Sequence, residues 1–274
     1  MSADALVAEL RGRAADGPLV VVGVGSGLSA RGACEGGADL LACYSTATHR
    51  IAGLPSALAF LPYGDANEHT LHVLPEVVAA STRPVIAGLG AHDPRRQLGR
   101  LVGQAAELGA AGVTNEPFVG MYEGDLRAQI EAAGLGFERE VALVEAAVRR
   151  DLVALGWAWN AEEARRMVAA GAQLVGAMLG VTAGGAAGSE PATGLEAGIE
   201  ALAAMVAAAR AERPDVLCLI HGGPLNDPEP VALALARTGA EGYVAGSTAE
   251  RVPAVRGIAE AVRAFKQARI PLET

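Results

Sequence analysis

Hydrophobic positions along the chain fall into a repeating unit, a short apolar run followed by a longer stretch of helical periodicity. Continuous apolar runs suit strands buried on both faces of a parallel sheet, and they are predicted at 19–24, 39–44, 84–89, 112–115, 152–158, 173–179, 216–220 and 243–245. Apolar residues at helical spacing predict helices at 3–14, from the 25–29 turn through Ala33, and at 68–80, 95–108, 125–133, 137–150, 161–170, 194–211 and 253–269. One further short helix is predicted between the last two strands, and residues 45–67 are predicted to be irregular.

Alternating strands and helices, with no linker or shift in composition, predict an α/β protein: one (β/α)8 TIM barrel over 1–274, its core at about 15–268. The alternative is an open doubly wound sheet, which would favour a G-x-G-x-x-G fingerprint. The nearest match, Gly23-Val24-Gly25-Ser26-Gly27-Leu28, lacks the third glycine. The last two units carry the clearest signal. One run ends in His221-Gly222-Gly223-Pro224 and the next in Gly246-Ser247. In a barrel, glycine-rich loops after strands 7 and 8 often hold an anion on backbone N–H groups.

Composition narrows the function classes. With 51% hydrophobic and 19% charged residues the chain is not of a disordered class, and a net charge of −9 without a basic cluster argues against nucleic acid as a partner. The only lysine is Lys266, in the last predicted helix, so no barrel lysine is available for a Schiff base. Cys34, Cys43 and Cys218 lie far apart, as expected of reduced thiols in a cytoplasmic protein. No signal peptide or membrane span is expected, and the Ala-rich helices suggest a homo-oligomer.

Polar residues just past the strands of a barrel converge on one mouth. Here they include Ser26, then Tyr44, Ser45 and Arg50, then His92 and Asp93, then Asn115 and Glu116, and finally His221 and Ser247. Expected anion contacts are Ser26, Gly222, Gly223, Gly246 and Ser247, with Asn115 and Asp65 as further ligand contacts. His221, His92 and Tyr44 are the candidates for proton transfer. Asp93 and Glu116, at the ends of adjacent strands, are the best-placed carboxylate pair for Mg2+. Bland alternatives stand beside these: Asp93-Pro94 suits a helix start, Asp65 and Asn67 suit a turn, and His221 could cap a loop carbonyl. The loop at 182–189 reads equally as a lid or as a plain connection.

Several motifs recur in an order that is familiar: Gly25-Ser-Gly-Leu-Ser-Ala30, Leu61-Pro-Tyr-Gly-Asp-Ala-Asn67, Asn115-x-Pro117-x-x-Gly120, Asn160-x-Glu162-Glu163-Ala164 and His221-Gly-Gly-Pro224. Over roughly 5–268 the chain resembles the phosphoenolpyruvate hydrolase-like family, also called the TIM-barrel signal-transduction family. That family is similar to the phosphoenolpyruvate mutase and isocitrate lyase superfamily. The resemblance implies Mg2+ and hydrolase or C–C/P–C lyase chemistry on a small phosphorylated or keto acid. It also leaves open a ligand-binding regulatory role without turnover. The chain departs from the superfamily after strand 3, which ends Gly90-Ala-His-Asp93-Pro94 in place of Asp-x-Asp-x-Gly, and after strand 4, which ends Thr114-Asn-Glu-Pro117 with no lysine.

Overall fold

A computed structural model describes residues 1–184 and 193–268. Eight parallel strands close into a barrel in chain order. They are β1 (Leu19–Val24), β2 (Leu40–Cys43), β3 (Val85–Gly88), β4 (Gly112–Thr114), β5 (Val153–Ala158), β6 (Leu174–Met178), β7 (Leu217–His221) and β8 (Gly242–Ala245). Closure is by β1 on β8, with Leu19 opposite Gly242 and Val22 opposite Ala245. A side chain at Gly242 would sit 2.3 Å from the Leu19 carbonyl oxygen, so the seam needs glycine there.

The helices are α1 (Ala3–Asp16), α2 (Gly27–Glu35), α3 (Ser45–Ile51), α4 (Ala66–Ala80), α5 (Leu98–Glu107), α6 (Gly124–Ala132), α7 (Phe137–Val148), α8 (Ala161–Ala169), α9 (Leu195–Glu212), α10 (Pro228–Thr238) and α11 (Arg251–Gln267). Strand residues alternate between two apolar layers. Val21, Leu40, Ile86, Leu155, Leu174 and Leu219 fill the barrel, together with Leu6 and Leu10 of α1, which closes the end where the strands begin. Val22, Leu41, Ala87, Val113 and Ile220 face the outer helices.

Two differences from the sequence reading bear on the site. Residues 45–67, expected to be irregular, contain α3 and a 3-10 turn at Ser56–Phe60. No amphipathic period marks α3 because most of it is buried: Ser45, Thr46, Ala47, His49 and Arg50 are all enclosed. The helix expected from residue 95 starts instead at Leu98. Asp93 does not cap it; its Oδ1 accepts the Arg95 N–H at 2.9 Å, closing a turn before the helix. The final helix was expected to reach Arg269, which lies outside the described residues. Along α11, Val255, Ile258, Val262 and Phe265 are all more than half exposed.

Candidate active site

A cavity opens where the strands end. Its polar wall is formed by Tyr44, Thr46, Arg50, Glu116, His221 and Ser247, and its apolar wall by Phe60, Phe118, Met121, Trp157 and Met178. Elements far apart in sequence supply them: α3 and the residue before it, the loop after β4, the end of β7 and the turn after β8. Gly88 makes the approach possible, since a Cβ there would lie 2.3 Å from the Tyr44 Cβ and 3.0 Å from the Glu116 Cβ.

Arg50 is the fixed cation of this wall, only 4% exposed. Its Nε donates to Glu250 Oε2 at 2.8 Å and its Nη2 to the Gly23 carbonyl at 3.0 Å. The guanidinium also lies against the Tyr44 ring, 5.5 Å from the centroid. Burial works against its charge, but the neighbouring Tyr44 and Glu250 outweigh it and hold the guanidinium above its ordinary pKa. Glu250 in turn accepts the Gly25 N–H at 2.7 Å on its other oxygen, so the pair is anchored at both ends.

His221 donates from Nδ1 to the Val244 carbonyl at 2.5 Å, which leaves Nε2 as an acceptor. Burial lowers its pKa to about 4, so the ring is neutral at physiological pH. Glu116 accepts from the Thr46 hydroxyl. Burial pushes this carboxyl up to about 7, with the Thr46 bond and the Arg50 charge opposing. Tyr44 is pushed up to about 12 by burial and stays a neutral phenol. The wall therefore offers one permanent cation, one neutral imidazole and one carboxyl poised near neutrality, a set suited to holding an anion and moving a proton.

Of the residues expected at the site, Tyr44, Glu116, His221, Gly246 and Ser247 line this cavity. The others do not, and each has other local contacts. Ser26 caps α2 in a reciprocal box with Ser29. Asp65 caps α4 and binds Arg96 at 2.6 Å. Asn115 is fully buried, accepting the Trp157 N–H at 2.8 Å and donating to Glu140, so it positions β5 without facing the cavity. Gly222 and Gly223 adopt left-handed φ values of 90° and 54° and turn the chain against the 180–183 segment; a Cβ on Gly222 would meet the Gly180 carbonyl oxygen at 2.0 Å. His92 packs near Gly90 and Pro117, outside the wall, and burial lowers its pKa.

Asp93 does not stand beside Glu116 in the cavity wall. Both its oxygens bind Arg95, at 2.9 and 3.0 Å, and that bond holds its carboxyl below the usual range. A neighbouring arginine two residues on was the nearer partner. Thr182 of the expected lid lines the cavity, whereas residues 185–189 lie outside the described residues. Arg50 was visible as a polar residue after strand 2, but nothing in the sequence ranked it above its neighbours. Thr46, Trp157 and Glu250 were missed; Glu250 follows Ser247 by three residues, and the mouth position of that loop was the available signal.

The chain is 34% identical over 251 residues to the ToMV susceptible protein tm-1(GCR26) of Solanum lycopersicum, an alignment covering 91% of this chain and 33% of that protein. It thus spans about a third of the length of the curated relatives it matches. Among solved structures, a phosphonopyruvate hydrolase complexed with oxalate and Mg2+ superposes with a TM-score of 0.63 at 14% identity, covering 99% of this chain and 92% of that one. A 2,3-dimethylmalate lyase of the phosphoenolpyruvate mutase/isocitrate lyase superfamily gives 0.59 at 19% identity, covering 98% and 86%. At these identities the likeness supports the barrel alone. The phosphoenolpyruvate hydrolase-like family model matches residues 5–268, nearly the whole chain, and to that family the chain belongs.

Proposed function

We propose that this protein binds a small carboxylated or phosphorylated acid at the barrel mouth and cleaves it as a hydrolase or a C–C/P–C lyase. The observation that carries this reading is the meeting of Arg50, Glu116 and His221 in one cavity with a largely apolar opposite wall. Arg50 receives the anionic group near Gly246 and Ser247. His221, neutral and fixed through Nδ1, accepts a proton at Nε2, and Glu116 returns one to the leaving group.

The Mg2+ that the resemblance implies does not fit the donors present. Among the described residues no three His, Cys, Asp or Glu side chains gather into a metal site. Asp93 is taken by Arg95, and Glu116 stands alone in the wall, held largely protonated below pH 7 and within reach of the Arg50 charge. A hard dication needs ionised oxygen donors, so no step is assigned to it.

Purified protein incubated with phosphonopyruvate, oxaloacetate or 2,3-dimethylmalate is expected to release a cleavage product from at least one of them. His221→Ala should cut that rate roughly 100- to 10,000-fold while the fold is retained. Binding of an acid without any turnover would favour the second reading, a regulatory ligand-binding barrel. That reading draws support from the curated tomato relatives, which are described by virus susceptibility and resistance and not by a reaction.

The exposed apolar stripe of α11 supports association with a second copy of the chain, since such a stripe is unusual on a monomer surface.

A further inference from the structure

We propose that the ligand's negative charge is met by the Arg50 guanidinium, clamped by Glu250, and that anion binding at this mouth needs no divalent metal. The proposal rests on the barrel-mouth cavity being the ligand site.

Arg50 has three nitrogens, and two are occupied, Nε by Glu250 and Nη2 by the Gly23 carbonyl. The third, Nη1, lies at the end of β8, 3.6 Å from where a Cβ on Gly246 would stand. Gly246 thus leaves open the space in front of this nitrogen, next to Ser247 in the cavity wall. The guanidinium cannot swing away. Glu250 holds one side while itself tied to the Gly25 N–H, and Tyr44 lies along its face.

Charge balance points the same way. Arg251 is also buried, 5% exposed, and its Nε and Nη1 have no partner among the described residues. Burial lowers its pKa and the nearby Arg50 charge lowers it further, with Glu250 opposing. Glu250 is ion-paired with Arg50 alone, so Arg251 is a buried cation with no bonded carboxylate among the described residues, and such a charge is costly until an anion joins it. Glu116, the carboxyl of the wall, is hydrogen-bonded by Thr46. The Trp157 indole N–H, in the same wall, is buried without a partner among the described residues and is a further donor in want of an acceptor. A dication placed here would be repelled by the Arg50 guanidinium in the wall.

The ligand class that follows is a small oxyanion with one oxygen on Arg50 Nη1, either a carboxylate or a phosphoryl group. Calorimetric titration of the whole purified chain with oxalate and, separately, with inorganic phosphate distinguishes the two. Each titration is run in excess EDTA and again in millimolar Mg2+. The expected result is binding of at least one anion with affinities in EDTA and Mg2+ that agree within about twofold, as no step of binding involves the metal. Arg50→Gln combined with Glu250→Gln removes the cation and its ion-paired carboxylate together. This variant, if folded by circular dichroism, should bind at least about tenfold more weakly.

Binding that appears only with Mg2+ overturns the inference and leaves the acid-binding reading standing. A folded double variant that binds as tightly as the parent overturns it too. No binding of either anion under any condition overturns both. Should the variant fail to fold, the comparison of EDTA with Mg2+ on the parent chain still decides the matter.

Discussion

A single hydrogen bond sets the character of His221. With Nδ1–H held by the Val244 carbonyl and the ring buried, the folded protein takes up a proton there only near pH 4, against 6.5 for an ordinary histidine. Between those values the unfolded chain binds more protons, so this residue makes stability fall as pH falls, by about 3 kcal/mol below both. Glu116 has the opposite sign. Its carboxyl is raised from 4.5 to about 7, so its contribution is full below 4.5 and is lost as pH rises through 7. Urea unfolding of single variants separates the two. Relative to the parent, His221→Gln should gain about 3 kcal/mol as pH drops from 6.5 to 4, and Glu116→Gln should gain a similar amount as pH climbs from 4.5 to 7. Differences that do not change with pH would refute both assignments.

At the scale of elements, the Arg50–Glu250 pair joins three otherwise separate pieces: α3, the turn after β1 and the start of α11. Side-chain exposures of 3% and 1% place it well inside the protein, where removal of one partner leaves the other charge without compensation. Glu250→Gln is therefore expected to lower stability by about 3–5 kcal/mol in urea unfolding; a loss within experimental error would mean the pair organises nothing. A second buried carboxyl, Glu140, ties α7 to the loop after β4 through the Val119 N–H at 2.6 Å and through Asn115. Burial raises it to about 8. Helix α11 shows the reverse condition, an apolar stripe left exposed among the described residues. Val255, Ile258, Val262 and Phe265 recur at spacings of three and four and so share one face. Light scattering should find an oligomer for the parent chain and a smaller species for Ile258→Glu combined with Phe265→Glu. A monomeric parent would overturn the association.

The whole molecule carries a formal charge of −9, yet its mouth holds the buried Arg50. Closing the barrel brings that local positive potential about, because it draws the chain around residues 50 and 250 together, 200 positions apart. Among the described residues no helix is long and apolar enough to cross a membrane. The alternation of apolar runs and helical stretches was enough to read the strand count, the parallel order and the mouth as the place where polar residues gather. These follow from local period and from the need to bury both faces of each strand. Tyr44, Glu116, His221, Gly246 and Ser247 were legible for the same reason, since each lies at or just past a strand end. The sequence did not determine which polar residues face inward. Ser26, Asp65, Asp93 and Asn115 also follow strands or open helices, but nearby backbone N–H groups, Arg95, Arg96 and Glu140 hold their side chains. Nor could it single out Arg50 or find Glu250, because a buried ion pair between distant positions leaves no local period. Only tertiary contact decides which polar group is satisfied by its neighbours and which is left free for a ligand.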